Sequence, residues 1–140
     1  MSVIVTDRGF GPNTWTTGFC APDAANDCPA LDLPSDVDPK DLTNRLKGVK
    51  MIRVDFPSFA DGRGFTIAVQ LRRMGYEGTL RAKGHVIADQ YAMIRRSGFD
   101  EVEISDDLAA RQPEEHWLFR ADWRANNYQA RLKAPSLALG

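Results

Sequence analysis

A β-prone run that breaks at a glycine-bracketed loop and re-emerges as an apolar-periodic helix, twice in succession, is the pattern that most narrows the folds open to this chain. Lys50 to Phe56 sets Met51, Ile52, Val54 and Phe56 in a short strand. Gly62-Arg63-Gly64 then opens a helix over 65–74, with Phe65, Ala68 and Leu71 inward and Arg72 and Arg73 outward. Gly75 and Gly78 bracket a turn, 79–82 makes a second strand, and Gly84 breaks it. A second helix over 87–96 has Ile87, Tyr91 and Ile94 as its inward line, Ser97-Gly98 stops it, and 99–104 supplies a third strand. Links this short predict right-handed parallel crossovers. The expected fold is a single α/β domain with a small parallel sheet, arranged as a partial barrel or in flavodoxin-like layers. Three or four parallel strands are too few to close a barrel alone.

The flanks are less regular. Residues 1–39 read as one strand, Val3 to Thr6, followed by an irregular segment that is either mobile or laid over the main body. Pro22, Pro29, Pro34 and Pro39 exclude long helices there. Asp38 is placed to cap a short helix over 39–46 that has Pro39 at its first position and Leu42 and Leu46 on one face. The α/β core is expected over 40–133. After Ser105-Asp106-Asp107 comes a helical turn through Leu108, and Pro113 starts a last helix expected to reach Leu132. Its Trp117, Leu118, Ala121, Trp123 and Tyr128 form an apolar surface for one sheet face, or alternatively for a homodimer. Residues 134–140 read as a frayed tail.

Composition removes several function classes. No apolar run approaches the roughly 20 residues of a membrane span, and the first residues have no basic start or apolar core of a signal peptide, so a cytoplasmic location is expected. Cys20 and Cys28 fit no metal motif, as nothing supplies two further soft ligands, and they are expected as free thiols, with a regulatory or adventitious disulfide as the alternative. The net charge of −1 is uneven: Arg63, Arg72, Arg73, Arg81, Lys83, Arg95 and Arg96 stand against Glu77 and Asp89, a local +5. Such a field attracts an anionic ligand or an acidic protein. Nucleic acid is not expected, because no aromatic platform alternates with these arginines.

In parallel α/β folds, ligands gather where strand carboxyl ends meet helix amino ends. Three loops should meet there: Phe56 to Gly64, Lys83 to Val86 and Ser105 to Asp107. Gly62 and Gly64 permit close backbone approach, Arg63 offers a forked donor for an oxyanion, and Asp61 is either a helix cap or a base. The glycines match neither the dinucleotide fingerprint nor a phosphate-binding loop, so no cofactor is expected. Arg81 stands mid-strand and must be paired or reach the sheet's end; Asp55 is its structural partner of choice, an anion contact the functional alternative. Lys83 and His85 follow at the strand end, His85 as a proton carrier or a plain loop residue, and Asp89-Gln90 fall in the next helix's first turn. His85 and His116 with no third ligand do not make a metal site. Trp15, Trp117 and Trp123 are read as packing rather than as a cofactor box.

The run Val54-Asp55-Phe56-Pro57-Ser58-Phe59-Ala60-Asp61-Gly62-Arg63-Gly64-Phe65 resembles the signature of an uncharacterised bacterial family of unknown function, whose members occur in assimilatory sulfite or nitrite reduction gene clusters and are sometimes labelled oxidoreductases. The likeness continues through Leu71-Arg72, Gly75-Tyr76-Glu77-Gly78, Leu80-Arg81-Ala82, Gly84, Asp89-Gln90 and Gly98-Phe99-Asp100 to Tyr128-Gln129, covering roughly residues 50 to 130. It departs at His85, where an acidic residue is common, and at Tyr91, where an aliphatic one is usual; the N-terminal forty residues match poorly. The resemblance implies an accessory protein of sulfite reduction that docks the reductase or its electron donor. The alternatives are a small enzyme holding an oxyanion or phosphometabolite with Asp61, Arg63 and Arg81, and a non-catalytic assembly domain.

Overall fold

A computed structural model describes residues 2–15, 17–22 and 28–123. Six strands form one sheet: β1 (Ser2–Thr6), β2 (Gly9–Pro12), β3 (Ala30–Leu33), β4 (Met51–Phe56), β5 (Thr79–Gly84) and β6 (Glu101–Ser105). The helices are α1 (Arg63–Arg73), α2 (Tyr91–Ser97), α3 (Asp106–Arg111) and α4 (Glu114–Phe119), with 3₁₀ turns at Pro39–Leu42 and Ala88–Gln90. Spatial order is β2-β1-β6-β5-β4-β3. Strands β3 to β6 are parallel, and β1 lies antiparallel to both β2 and β6.

Parallel strands that are neighbours in sequence are neighbours in the sheet, and α1 and α2 pack on each other. There is no switch point at which the winding reverses, as flavodoxin-like layers require. The sheet therefore has the winding of a partial barrel, its connecting helices on one face. Period-two alternation divides the two faces. Leu31, Leu33, Ile52, Val54, Phe56, Leu80, Ala82, Val102 and Ile104 are buried on the helical side. Phe56 stacks edge-on with Phe65 and Phe99 at 5.3 and 5.8 Å. Gly64 is required at the start of α1, since a Cβ there would stand 2.4 Å from the Phe56 ring.

The opposite face is charged and is covered by the N-terminal segment. The chain leaves β2 at one edge of the sheet, and Cys20 pairs with β3 at the other, donating to Ala30 O at 3.0 Å and accepting from Asp32 N at 2.8 Å. In between, Asn13 accepts from Arg81 at 3.2 Å and the Phe19 ring lies 3.8 Å from the Arg53 guanidinium. Residues 13–15 and 17–19 thus form a strap across the polar face.

Several expectations need correction. Cys20 and Cys28 are not free thiols but a disulfide with Cα atoms 6.3 Å apart. Both flank the strap's anchorage on β3, which brings them within bonding reach. Strands β2 and β3 arise where an irregular segment was expected; each has only four residues and takes its order from the neighbour it pairs with. Arg72 is not outward. Its guanidinium bonds Gly98 O at 2.8 Å, Gly78 O at 2.8 Å, Tyr76 O at 2.9 Å and Asp100 at 2.9 Å, joining the ends of α1 and α2. Helix α4 stops at Phe119 rather than running on unbroken. Trp117 is buried and donates to Gln112 O at 2.8 Å, whereas Leu118 and Phe119 are exposed. Tyr128, the Tyr128-Gln129 pair, the reach to Leu132 and the 134–140 tail lie outside the described residues. The Asp38 cap is present, its carboxylate accepting from Lys40 N at 3.0 Å, and Leu42 is buried beneath it. Among the described residues no helix is long and apolar enough to cross a membrane.

Candidate functional site

The carboxyl ends of β5 and β6 open onto a cleft of about 350 Å³. Lys83 and His85 come from the end of β5, Glu103 and Ser105 from β6, and Leu108 and Arg111 from α3. Local chemistry fixes each. Gly84, at a φ of +116°, turns the chain where a Cβ would meet Phe56 O at 2.7 Å, so β5 presses against β4 and projects Lys83 and His85 on either side of the turn. Ser105 caps α3, its hydroxyl accepting from Leu108 N at 3.1 Å, which starts the helix that carries Leu108 and Arg111 directly at the strand end. The His85 ring stands edge-on to Phe59 at 5.8 Å, and its backbone N–H donates to Phe56 O at 2.9 Å.

The lining brings together the cations Lys83 and Arg111 with the carboxylate of Glu103 and the largely buried Ile104 and Leu108. Register sets Lys83 opposite Asp55 on β4 and Glu103 on β6. Among the described residues neither Lys83 nor Arg111 has an ion pair within 4 Å. Glu103 is different. Its Oε1 accepts from Arg81 at 2.9 Å and Arg53 at 3.1 Å, its Oε2 from Arg53 at 3.3 Å. Arg81 also holds Glu101 at 2.6 Å, and Arg53 holds Asp32 at 2.7 Å. The row Asp32–Arg53–Glu103–Arg81–Glu101 runs across the polar face under the strap. Burial works to lower the Arg53 pKa, but Asp32 and Glu103 overcome it and leave the pKa raised.

The residues expected from sequence fall into separate places. Lys83 and His85 share the cleft. Arg81 is sealed, 3% exposed, and Asp55 is not its partner, because register puts Arg53 opposite Arg81 and moves Asp55 to Lys83. Asp61 and Arg63 pair with each other: Asp61 Oδ1 accepts from Arg63 N at 3.0 Å, and its Oδ2 from Nη2 at 2.7 Å. The Arg63 side-chain hydrogen bond, then its backbone N–H, holds Asp61 below its ordinary pKa. Arg63 lines a different cleft, with Asp36 and Asp38. Gly62 and Gly64 begin α1. Asp89 pairs with Arg120 at 2.7 Å, and Gln90 bonds Ile87 N at 3.0 Å and Phe59 O at 2.9 Å, tying two loops at the strand ends. Sequence reasoning missed Glu103, Leu108 and Arg111. The Ser105–Asp107 loop pointed towards the first two, while nothing singled out Arg111 on its short helix.

The basic segment is mostly consumed internally. Arg63, Arg72, Arg81 and Arg95 pair with Asp61, Asp100, Glu101 and Asp7. Among the described residues, no three His, Cys, Asp or Glu gather as a metal site.

A family model described as a bacterial protein of unknown function (DUF934) matches residues 30–137. No curated protein and no solved structure matches the chain significantly.

Proposed function

We propose that this chain, which belongs to the DUF934 family of bacterial proteins of unknown function, binds a small organic anion in the cleft at the carboxyl ends of β5 and β6. The observation that carries the reading is the presence of Lys83 and Arg111, two cations without carboxylate partners among the described residues, on one cleft. Cations left unpaired at a strand end are poised for an incoming carboxylate, sulfonate or phosphate. The size admits a metabolite and not a dinucleotide. The test is titration of the full chain with inorganic phosphate, sulfite and short carboxylates, read by calorimetry and amide NMR shifts. Saturable binding is expected, with shifts at Gly84, His85 and Ser105. Lys83→Met and Arg111→Met should each weaken it about tenfold or more, the worth of one charge-assisted contact, and Arg63→Met should leave it unchanged. Absence of saturation, or indifference to Lys83→Met, overturns the reading.

A second reading is the accessory role in assimilatory sulfite reduction, docking the reductase or its electron donor. It is favoured by Arg73 and Arg96, which are exposed, stand at the ends of α1 and α2, and lack ion pairs among the described residues, with Met93 half-exposed on α2. Its test is recovery of the tagged chain's partners from sulfur-limited cells, identified by mass spectrometry. Capture of the reductase or donor, lost in Arg73→Glu/Arg96→Glu and weakened by salt, supports docking; its absence at low salt counts against it.

A further inference from the structure

Resting on the anion-binding reading, the geometry points to a narrower ligand class: a small acid that also carries a hydrogen-bond donor, a hydroxyl or ammonium group, on a neighbouring carbon. The residue that requires this is Glu103, which lines the same cleft as Lys83 and Arg111.

Glu103 is clamped between two arginines. Two guanidiniums contact it, and their side chains are 13% and 3% exposed, so neither can swing away into water. An ionised carboxylate accepts at both oxygens, with about four lone-pair sites, and donates nothing. Its two oxygens are unequally served. Oε1 takes bonds of 2.9 and 3.1 Å, whereas Oε2 has one long bond of 3.3 Å. The remaining acceptor capacity is therefore on Oε2. The row to which it belongs carries three carboxylates and two guanidiniums, leaving one negative charge that these five residues do not balance.

The cleft is thus dipolar, cationic at Lys83 and Arg111 and an obligatory acceptor at Glu103. A ligand that is only an anion gains the first and is repelled by the second. A ligand with an adjacent hydroxyl or ammonium satisfies both. Specificity follows because a site built around a fixed acceptor leaves that acceptor unpaired when the donor is missing.

The experiment uses the full chain and three carboxylates of similar size: propionate, lactate and alanine, titrated at one pH and one ionic strength. Lactate, alanine or both should bind about tenfold or more tightly than propionate. The two arms distinguish a hydroxyl from an ammonium donor. In Glu103→Gln that advantage should shrink while propionate binding holds or improves, since the repelling charge is gone. Should Glu103→Gln fail to fold, the wild-type comparison decides alone. Equal binding of all three overturns this inference and leaves the anion site standing; no saturable binding by any of them overturns the site itself.

Discussion

Asp7 shows how a single carboxylate ties distant parts of this chain together. It sits after β1 and accepts from the Tyr91 hydroxyl at 2.5 Å, from Arg95 at 3.1 and 3.2 Å, and from Trp123 Nε1 at 3.3 Å. Burial alone would raise its pKa, but these hydrogen bonds outweigh burial and lower it. The Tyr91 hydroxyl moves the other way, raised by its own burial and by Asp7, so it stays a donor. A depressed folded pKa contributes stability that is fully present above the unfolded value and disappears as pH falls through the folded one. Thermal melts from neutrality down to about pH 3 should therefore show wild type losing stability below the ordinary aspartate range, with Asp7→Asn starting lower and losing less. Because Asp7 is four-tenths exposed, the difference should stay below about 1 kcal/mol. A steeper acid slope in the variant would contradict this account. Sequence alone could mark Arg81 as a charge needing company, yet not choose its partner. Alternation says which residues share a face, whereas pairing depends on register, and the register sets Asp55 opposite Lys83. Arg72 was misread for a related reason: helical periodicity describes one helix, and the carbonyls that Arg72 collects belong to the turns beyond it.

Among the elements, those with a long periodic signal were legible. The strands β4, β5 and β6 and the helices between them lie close to where the apolar spacing places them. What escaped were pieces whose order comes from a partner. Strand β2 holds Gly9, Gly11 and Pro12, a composition compatible only with an edge, and exists because β1 pairs with it. Strand β3 takes its register from β4, with Leu31 against Ile52 and Leu33 against Val54. Helix α4 was overextended because the apolar residues after Phe119 continue the pattern even though the chain turns at Arg120. In the candidate site the same division holds. Lys83 and His85 were legible as residues at a strand's end, whereas Arg111 reaches the cleft only because α3 begins directly at Ser105.

The whole molecule is organised by its two-sided sheet, apolar beneath the helices and ionic beneath the strap. A largely buried row of charges contributes little net stability when intact but is costly to break, because a buried charge then loses a partner. Arg81→Met should thus destabilise the protein by about 3 kcal/mol or less, since Glu101 loses its cation while Glu103 keeps Arg53. Arg81→Met/Glu103→Gln should recover part of that loss. Urea unfolding measures both, and a double variant no better than the single would argue that packing, not charge, is what Arg81 supplies.

The pairing of β1 with β6 also constrains how the chain is made. Ser2 faces Ser105 and Val5 faces Val102, so a strand translated early is matched to one translated much later. At ordinary translation speeds the N-terminal hairpin waits on the order of ten seconds for its neighbour, and a two-stranded hairpin is only marginally stable by itself. Closing the sheet between β1 and β6, and holding the strap over its charged face, therefore waits on β6, although β1 is translated well before it.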